Sequence, residues 1–135
     1  MKIISFAWTT APLLAGHKTM TWREWNPKYA ASFKPGEIVQ AWDKLPRAGG
    51  QRIGLVRIIS IDQAETSDML ASDYEAEGMA WLAAHPEAWP KAIFGKVPTA
   101  ETFSREAFEQ RRREPFMYSV GYIVRFQWID DVAFS

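Results

Sequence analysis

Apolar and polar positions alternate from Lys2 to Trp8, placing Ile4, Phe6 and Trp8 on one face and predicting a first strand. Thr10 can cap a short helix with Pro12 in its first turn, and Gly16 ends it. Thr19 to Trp25 alternates again: Thr21, Arg23 and Trp25 share one face, and Trp22 and Glu24 the other. Asn26-Pro27 breaks this strand, and Pro35-Gly36 marks a turn before a strand from Glu37 to Asp43. Pro46 and Gly49-Gly50 make a loop. The longest β pattern runs from Gln51 to Asp62, with Ile53, Leu55, Ile59 and Ile61 in phase and Arg57 interrupting. Ser72 to His85 reads as a helix, opened by a Ser72–Glu75 capping box and stopped by Pro86. Trp89 to Pro98 is irregular. A second long helix is predicted from about Ser104 to Arg113, with Glu101 and Glu109 spaced to pair with Arg105 and Arg113. Met117 to Ile129 is a last strand, whose even positions from Tyr118 to Trp128 form one apolar face. This order predicts an α+β fold with a mixed, curled sheet or small barrel.

The 135 residues correspond to one domain spanning 1–135. There are no cysteines, which excludes disulfides, iron–sulfur clusters and thiol catalysis. Sixteen basic and sixteen acidic residues give zero net charge, so any phosphate contact must come from a local patch. Seven tryptophans are many for this length. No apolar run approaches a membrane span, and the first one is too short for a secretory leader, so a cytoplasmic address without membrane contact is expected. His17 and His85 are far apart without a carboxylate cluster, so no metal site is expected. No cofactor motif is present.

The most informative stretch is Gly16-His17-Lys18-Thr19-Met20-Thr21-Trp22-Arg23. A lysine, a hydroxyl and an arginine meet where a helix gives way to a strand. That set suits an anion or a polar base edge. The plainer reading is a solvated loop lysine beside packed strand residues. Trp22 or Trp25 can stack on a base, although core packing is the more frequent fate of a tryptophan. Arg111-Arg112-Arg113 sits at a helix C-terminus, where cations suit the helix dipole; it can also track phosphates. Glu75 is accounted for by its capping box. Glu77 has no local explanation and lies at the margin of the helix's apolar face, one turn from Trp81.

The pattern Gly16-x-Lys18-x-x-Thr21-x-Arg23 resembles the signature of ASCH domains, in the PUA-like superfamily. Pro12-Leu13-Leu14-Ala15 is similar to the family's short helix, and Pro35-Gly36-Glu37-Ile38-Val39 to an early strand. Tyr74 to Met79 is similar to its central helix, and Tyr122-Ile123-Val124-Arg125-Phe126 to its last strand. The resemblance implies a PUA-like mixed β-barrel flanked by two or three helices, recognising RNA or a modified nucleoside. One bacterial branch hydrolyses the amide of 4-acetylcytidine. Matched onto this sequence, that branch implies Lys18 as base, Thr21 as nucleophile and Glu77 as acid, with nucleotide contacts at Gly16, Lys18 and Arg23. The expected ligand is a nucleoside or RNA bound by a monomer. The stretch from Trp89 to Pro115 is longer than in minimal amidohydrolases and leaves room for a polymer, so a non-catalytic RNA-binding module stays open beside the enzyme.

Overall fold

A computed structural model describes residues 1–114 and 121–129. In chain order the elements are β1 (Ile3–Ser5), α1 (Thr10–Leu14), β2 (Met20–Arg23), α2 (Pro27–Ala31), β3 (Ile38–Trp42), β4 (Arg52–Ala64), α3 (Asp73–Ala76), α4 (Met79–Ala84), α5 (Arg105–Arg113) and β5 (Gly121–Ile129). The strands form one sheet in the order β1-β3-β4-β5-β2. The β1–β3 pair is parallel and the other three are antiparallel. The sheet curls into a half-barrel, giving the α+β architecture expected from the sequence. Among the described residues no helix is long and apolar enough to cross a membrane.

Strand alternation divides the core in two. Tyr122, Val124 and Phe126 of β5 join Ile4, Phe6, Val39, Val56 and Ile58 in one cluster. Ile123 joins Met20, Met69, Tyr74, Leu82, Phe103 and Phe108 under the helices. The even-numbered apolar face foreseen for the last strand is therefore present from Tyr122 onward; Met117 to Val120 lie outside the described residues. Arg125 reaches the helical side, where it clasps the buried Asp73 carboxylate through two hydrogen bonds of 2.8 and 3.0 Å.

Several expected boundaries move, each for a local reason. β1 stops at Ser5 because Ala7 takes φ +46° and starts a tight turn. Trp8 therefore leaves the face of Ile4 and Phe6 and packs with the second cluster. Asn26-Pro27 starts a helix rather than only ending a strand: the Asn26 side chain accepts from the Lys28 N–H at 2.8 Å and proline fills the first helical position. In β4 the register with β5 shifts between Ile58 and Ser60, so Ile58 is buried while Ile59 is 55% exposed. The predicted capping box at Ser72 is not formed. Ser72 is already helical, and it is Asp73 that accepts the Leu70 N–H at 2.8 Å, while Glu75 pairs with Arg105 at 2.9 Å. Glu101 lies in a 3₁₀ turn ahead of the Ser104 cap, outside helical i,i+4 spacing. Glu109 pairs with Arg112 at 2.8 Å and sits 3.9 Å from Arg105.

The break that matters most divides the predicted 72–85 helix at Gly78, which has φ +93°. A side chain there meets Pro12 of α1: an added Cβ comes within 2.7 Å of the proline Cβ and 2.8 Å of its Cγ. Only glycine satisfies both the left-handed backbone and this close approach. Gly78→Ala should therefore cost about 2–4 kcal/mol, combining the left-handed penalty with overpacking. Urea unfolding measures it, and a loss below about 0.5 kcal/mol would show that Pro12 yields freely and does not fix the break.

Candidate functional site

The loop after α1 brings Lys18 beneath the Gly78 break. The Gly16 N–H bonds the Leu13 carbonyl at 3.0 Å and the His17 N–H bonds Pro12 at 2.9 Å, so the chain reverses with Gly16 at φ +80°. The Thr19 N–H then donates to the Ala76 carbonyl at 2.8 Å, docking the entry to β2 against the end of α3. Lys18 is left 3% exposed, and its Nζ donates to the carbonyls of Met20 (2.8 Å) and Glu77 (2.9 Å). Burial brings its pKa down to about 7. The charge of Glu77 opposes the shift, and Arg23 and Arg111 reinforce it.

Thr21 and Arg23 point the same way from β2, as two residues of one strand face must. Arg23 Nε donates to Thr21 Oγ1 at 3.0 Å and Nη2 to the Ser5 carbonyl at 2.5 Å. The second bond links β2 to β1, the two outer strands of the open sheet. The guanidinium also lies 5.5 Å from the centre of the Phe6 ring. Burial lowers its pKa to about 10, so it remains a cation at neutral pH.

Glu77 is 6% exposed, and its carboxylate accepts a short hydrogen bond from Arg111 Nη2. The Arg111 Nε is buried without a hydrogen-bond partner among the described residues. Trp81 stacks on His85, its ring centre 3.9 Å away. Lys18, Thr21, Arg23, Glu77 and Arg111 all line one cavity of about 520 Å³, a size usual for small-molecule sites. Trp8, Trp22, Met79 and Phe94 provide apolar wall, and Glu24 and Thr66 further polar atoms. The residues singled out by sequence thus divide. Lys18, Thr21, Trp22, Arg23 and Glu77 converge here, whereas Gly16 shapes the loop from outside. Trp25 packs away from the cavity, stacked on Phe33 with ring centres 4.7 Å apart.

Arg111 is the participant that sequence reasoning did not place here. A signal was present: in the triple-arginine run, Glu109 stands three residues before Arg112 and four before Arg113, while Arg111 has Phe108 and Ala107 at those positions. Among the described residues no group of His, Asp and Glu side chains is assembled to hold a metal.

Burial of Lys18 couples its protonation to stability. Its folded pKa of about 7 lies below the ordinary 10.5, so between these values the unfolded chain binds more protons. Stability contributed through this group rises with pH over that window and is flat below it. The slope approaches about 1.4 kcal/mol per pH unit. Relative to Lys18→Met, the wild-type protein should gain stability between pH 7 and pH 9. Urea midpoints of both proteins at the two pH values measure this, and a pH-independent difference would mean the amine stays charged.

No protein-family model matches the chain, and no curated protein matches its sequence. Solved structures do resemble it in fold. An ASCH domain from Lactobacillus crispatus is 17% identical, with 89% of this chain and 69% of that one covered and a TM-score of 0.43. Protein EF3133 from Enterococcus faecalis, described by the family model DUF984, is 12% identical, with 96% and 80% covered and a TM-score of 0.54. The likeness to EF3133 is one of fold, and it agrees with the curled α+β architecture expected from the sequence.

Proposed function

We propose that the cavity binds a nucleobase and that the protein hydrolyses the amide of an acylated cytidine. The observation that carries this reading is the convergence of the buried Lys18 amine, Thr21 and Glu77 on the wall of one cavity, where burial brings the Lys18 pKa down to about 7. A neutral amine can accept a proton; an ordinary lysine at pH 7 cannot. In this reading Lys18 takes the Thr21 hydroxyl proton as Oγ1 attacks the acyl carbon. Arg23 faces the negative charge that develops on the carbonyl oxygen, where a cationic donor is most effective. The amide C–N bond breaks, Lys18 returns the proton to the departing exocyclic nitrogen, and free cytidine leaves. Water then cleaves the threonine ester, releasing the carboxylic acid. Glu77, held by Arg111, keeps the Lys18 pKa from falling further and so preserves its basicity.

A second reading, binding without turnover, is favoured by one observation. Among the described residues Arg23 donates to a hydroxyl and a carbonyl, with no carboxylate partner. When Lys18 is protonated, it joins Arg23 and Arg111 to outnumber Glu77 and Glu24 around the cavity. This surplus suits a phosphate in RNA.

Mass spectrometry of N4-acylated cytidines incubated with the protein separates the two. Turnover should rise with pH through about 7, as Lys18 loses its proton. Thr21→Ala and Lys18→Ala should each abolish it, with the double variant little worse, because groups acting as one unit are non-additive. Wild-type turnover by Thr21→Ala would remove the hydroxyl as nucleophile. Salt-dependent RNA binding without any turnover would establish the second reading.

Arg23→Lys should weaken nucleoside binding by about 1–3 kcal/mol, since an ammonium cannot reproduce the planar fork. Titration calorimetry reads this directly. Unchanged affinity with unchanged stability would take Arg23 out of ligand recognition.

A further inference from the structure

The outer wall of the cavity ends in Phe94, whose residue surface is 97% exposed. It stands in a tight turn. Ile93 and Lys96 exchange both backbone hydrogen bonds, at 2.8 and 3.0 Å, leaving Phe94 and Gly95 as the two central residues. Their φ values are +49° and +79°, which is the type I′ pattern. Gly95 is at home there. The first central position favours Asn, Asp or Gly, and a bulky aromatic residue in left-handed backbone is an outlier. Packing does not explain the choice, because the ring has almost no cover. Among the described residues, the other non-glycine with positive φ is Ala7, and it lines the same cavity. Strained backbone gathered at one cleft points to function.

Trp22 lines this cavity too, but its ring is held. An added Cβ on Gly121 would come within 2.3 Å of the indole, and the indole N–H reaches the Ala64 carbonyl at 3.4 Å. Trp22 is therefore a fixed aromatic wall, whereas Phe94 is unencumbered. We propose that Phe94 is the outer stacking face of the site and covers the flat ring of the bound ligand, a nucleobase on the reading above. An aromatic face suits any base, so this contact contributes affinity, while polar groups deeper in the cavity select the ring.

The test titrates cytidine and N4-acetylcytidine into the wild-type protein and into Phe94→Ala, Phe94→Leu and Phe94→Trp, with thermal unfolding of each. Phe94→Ala should weaken binding by roughly 5- to 150-fold, the range of one lost base stack. Phe94→Leu should weaken it comparably, because leucine is apolar without a π face. Phe94→Trp should bind as well as wild type or better. Thermal midpoints should stay level, since the ring packs against almost nothing. Wild-type affinity in Phe94→Ala would overturn the stacking role while leaving the nucleobase reading intact. Full affinity in Phe94→Leu would likewise overturn it, leaving only a greasy contact. Failure of the wild-type protein to bind either nucleoside would overturn both together.

Discussion

A lysine amine with two backbone carbonyls is the fixed point of this molecule. Lys18 comes from the loop between the first helix and β2, and it bonds one carbonyl of that strand and one at the broken helix. Burying an amine is costly unless its donors are met. Two well-placed acceptors meet that demand without a carboxylate hydrogen bond, so the amine remains poised between charged and neutral. Three neighbouring constraints hold the acceptors in place. Thr19 ties the strand entry to Ala76, Gly78 permits the left-handed break, and Pro12 closes against that glycine. All three bear on where the Glu77 carbonyl meets the Lys18 amine.

The second constraint is the open seam of the sheet. With the order β1-β3-β4-β5-β2, β1 and β2 are edges, and unpaired edges are a liability. At the cavity the seam is bridged by a side chain: Arg23 reaches from β2 to Ser5 of β1. This leaves a gap where a ladder would have filled the space, and the gap is the cavity. The same arginine orients Thr21, so the group that joins the two edges also sets the hydroxyl. Across the cavity, Arg111 does the corresponding work for Glu77. A buried carboxylate without that partner would be strongly destabilising.

Local pattern made the strands and the motif legible. The Pro35-Gly36 turn signal marked the start of β3, and alternation marked the apolar face of β5, because a half-buried strand records its two faces in its side chains. The Lys18–Arg23 spacing marked the cavity wall, since residues 21 and 23 of one strand must share a face. The rest depended on distant contacts that no short window contains. The helix pattern around Gly78 is continuous in sequence, and only the approach of Pro12, sixty-six residues earlier, explains the break. Ile59 looked in phase with Ile61 until the bulge against β5 displaced it. Trp25 shares its strand face with Arg23 in the pattern, yet β2 ends at Arg23 and Trp25 turns onto Phe33. Arg111 entered the site through the packing of the last helix.

Ala7 and Phe94 show how the fold and the site conflict. Each breaks a local rule: alanine and phenylalanine occupy backbone where glycine or asparagine is at ease. Such violations are not scattered through the described residues; both line the cavity. Ala7 turns the chain out of β1, so that Ser5 can present its carbonyl to Arg23 while Trp8 leaves for the other cluster. A straight continuation of β1 would have kept Trp8 on the face of Ile4 and Phe6, as the alternation alone predicts. The strained turn thus converts a strand end into cavity wall. Consistency between local preference and global fold is what specifies most of the chain, and its failure at two points lining one cleft agrees with the ligand site proposed there.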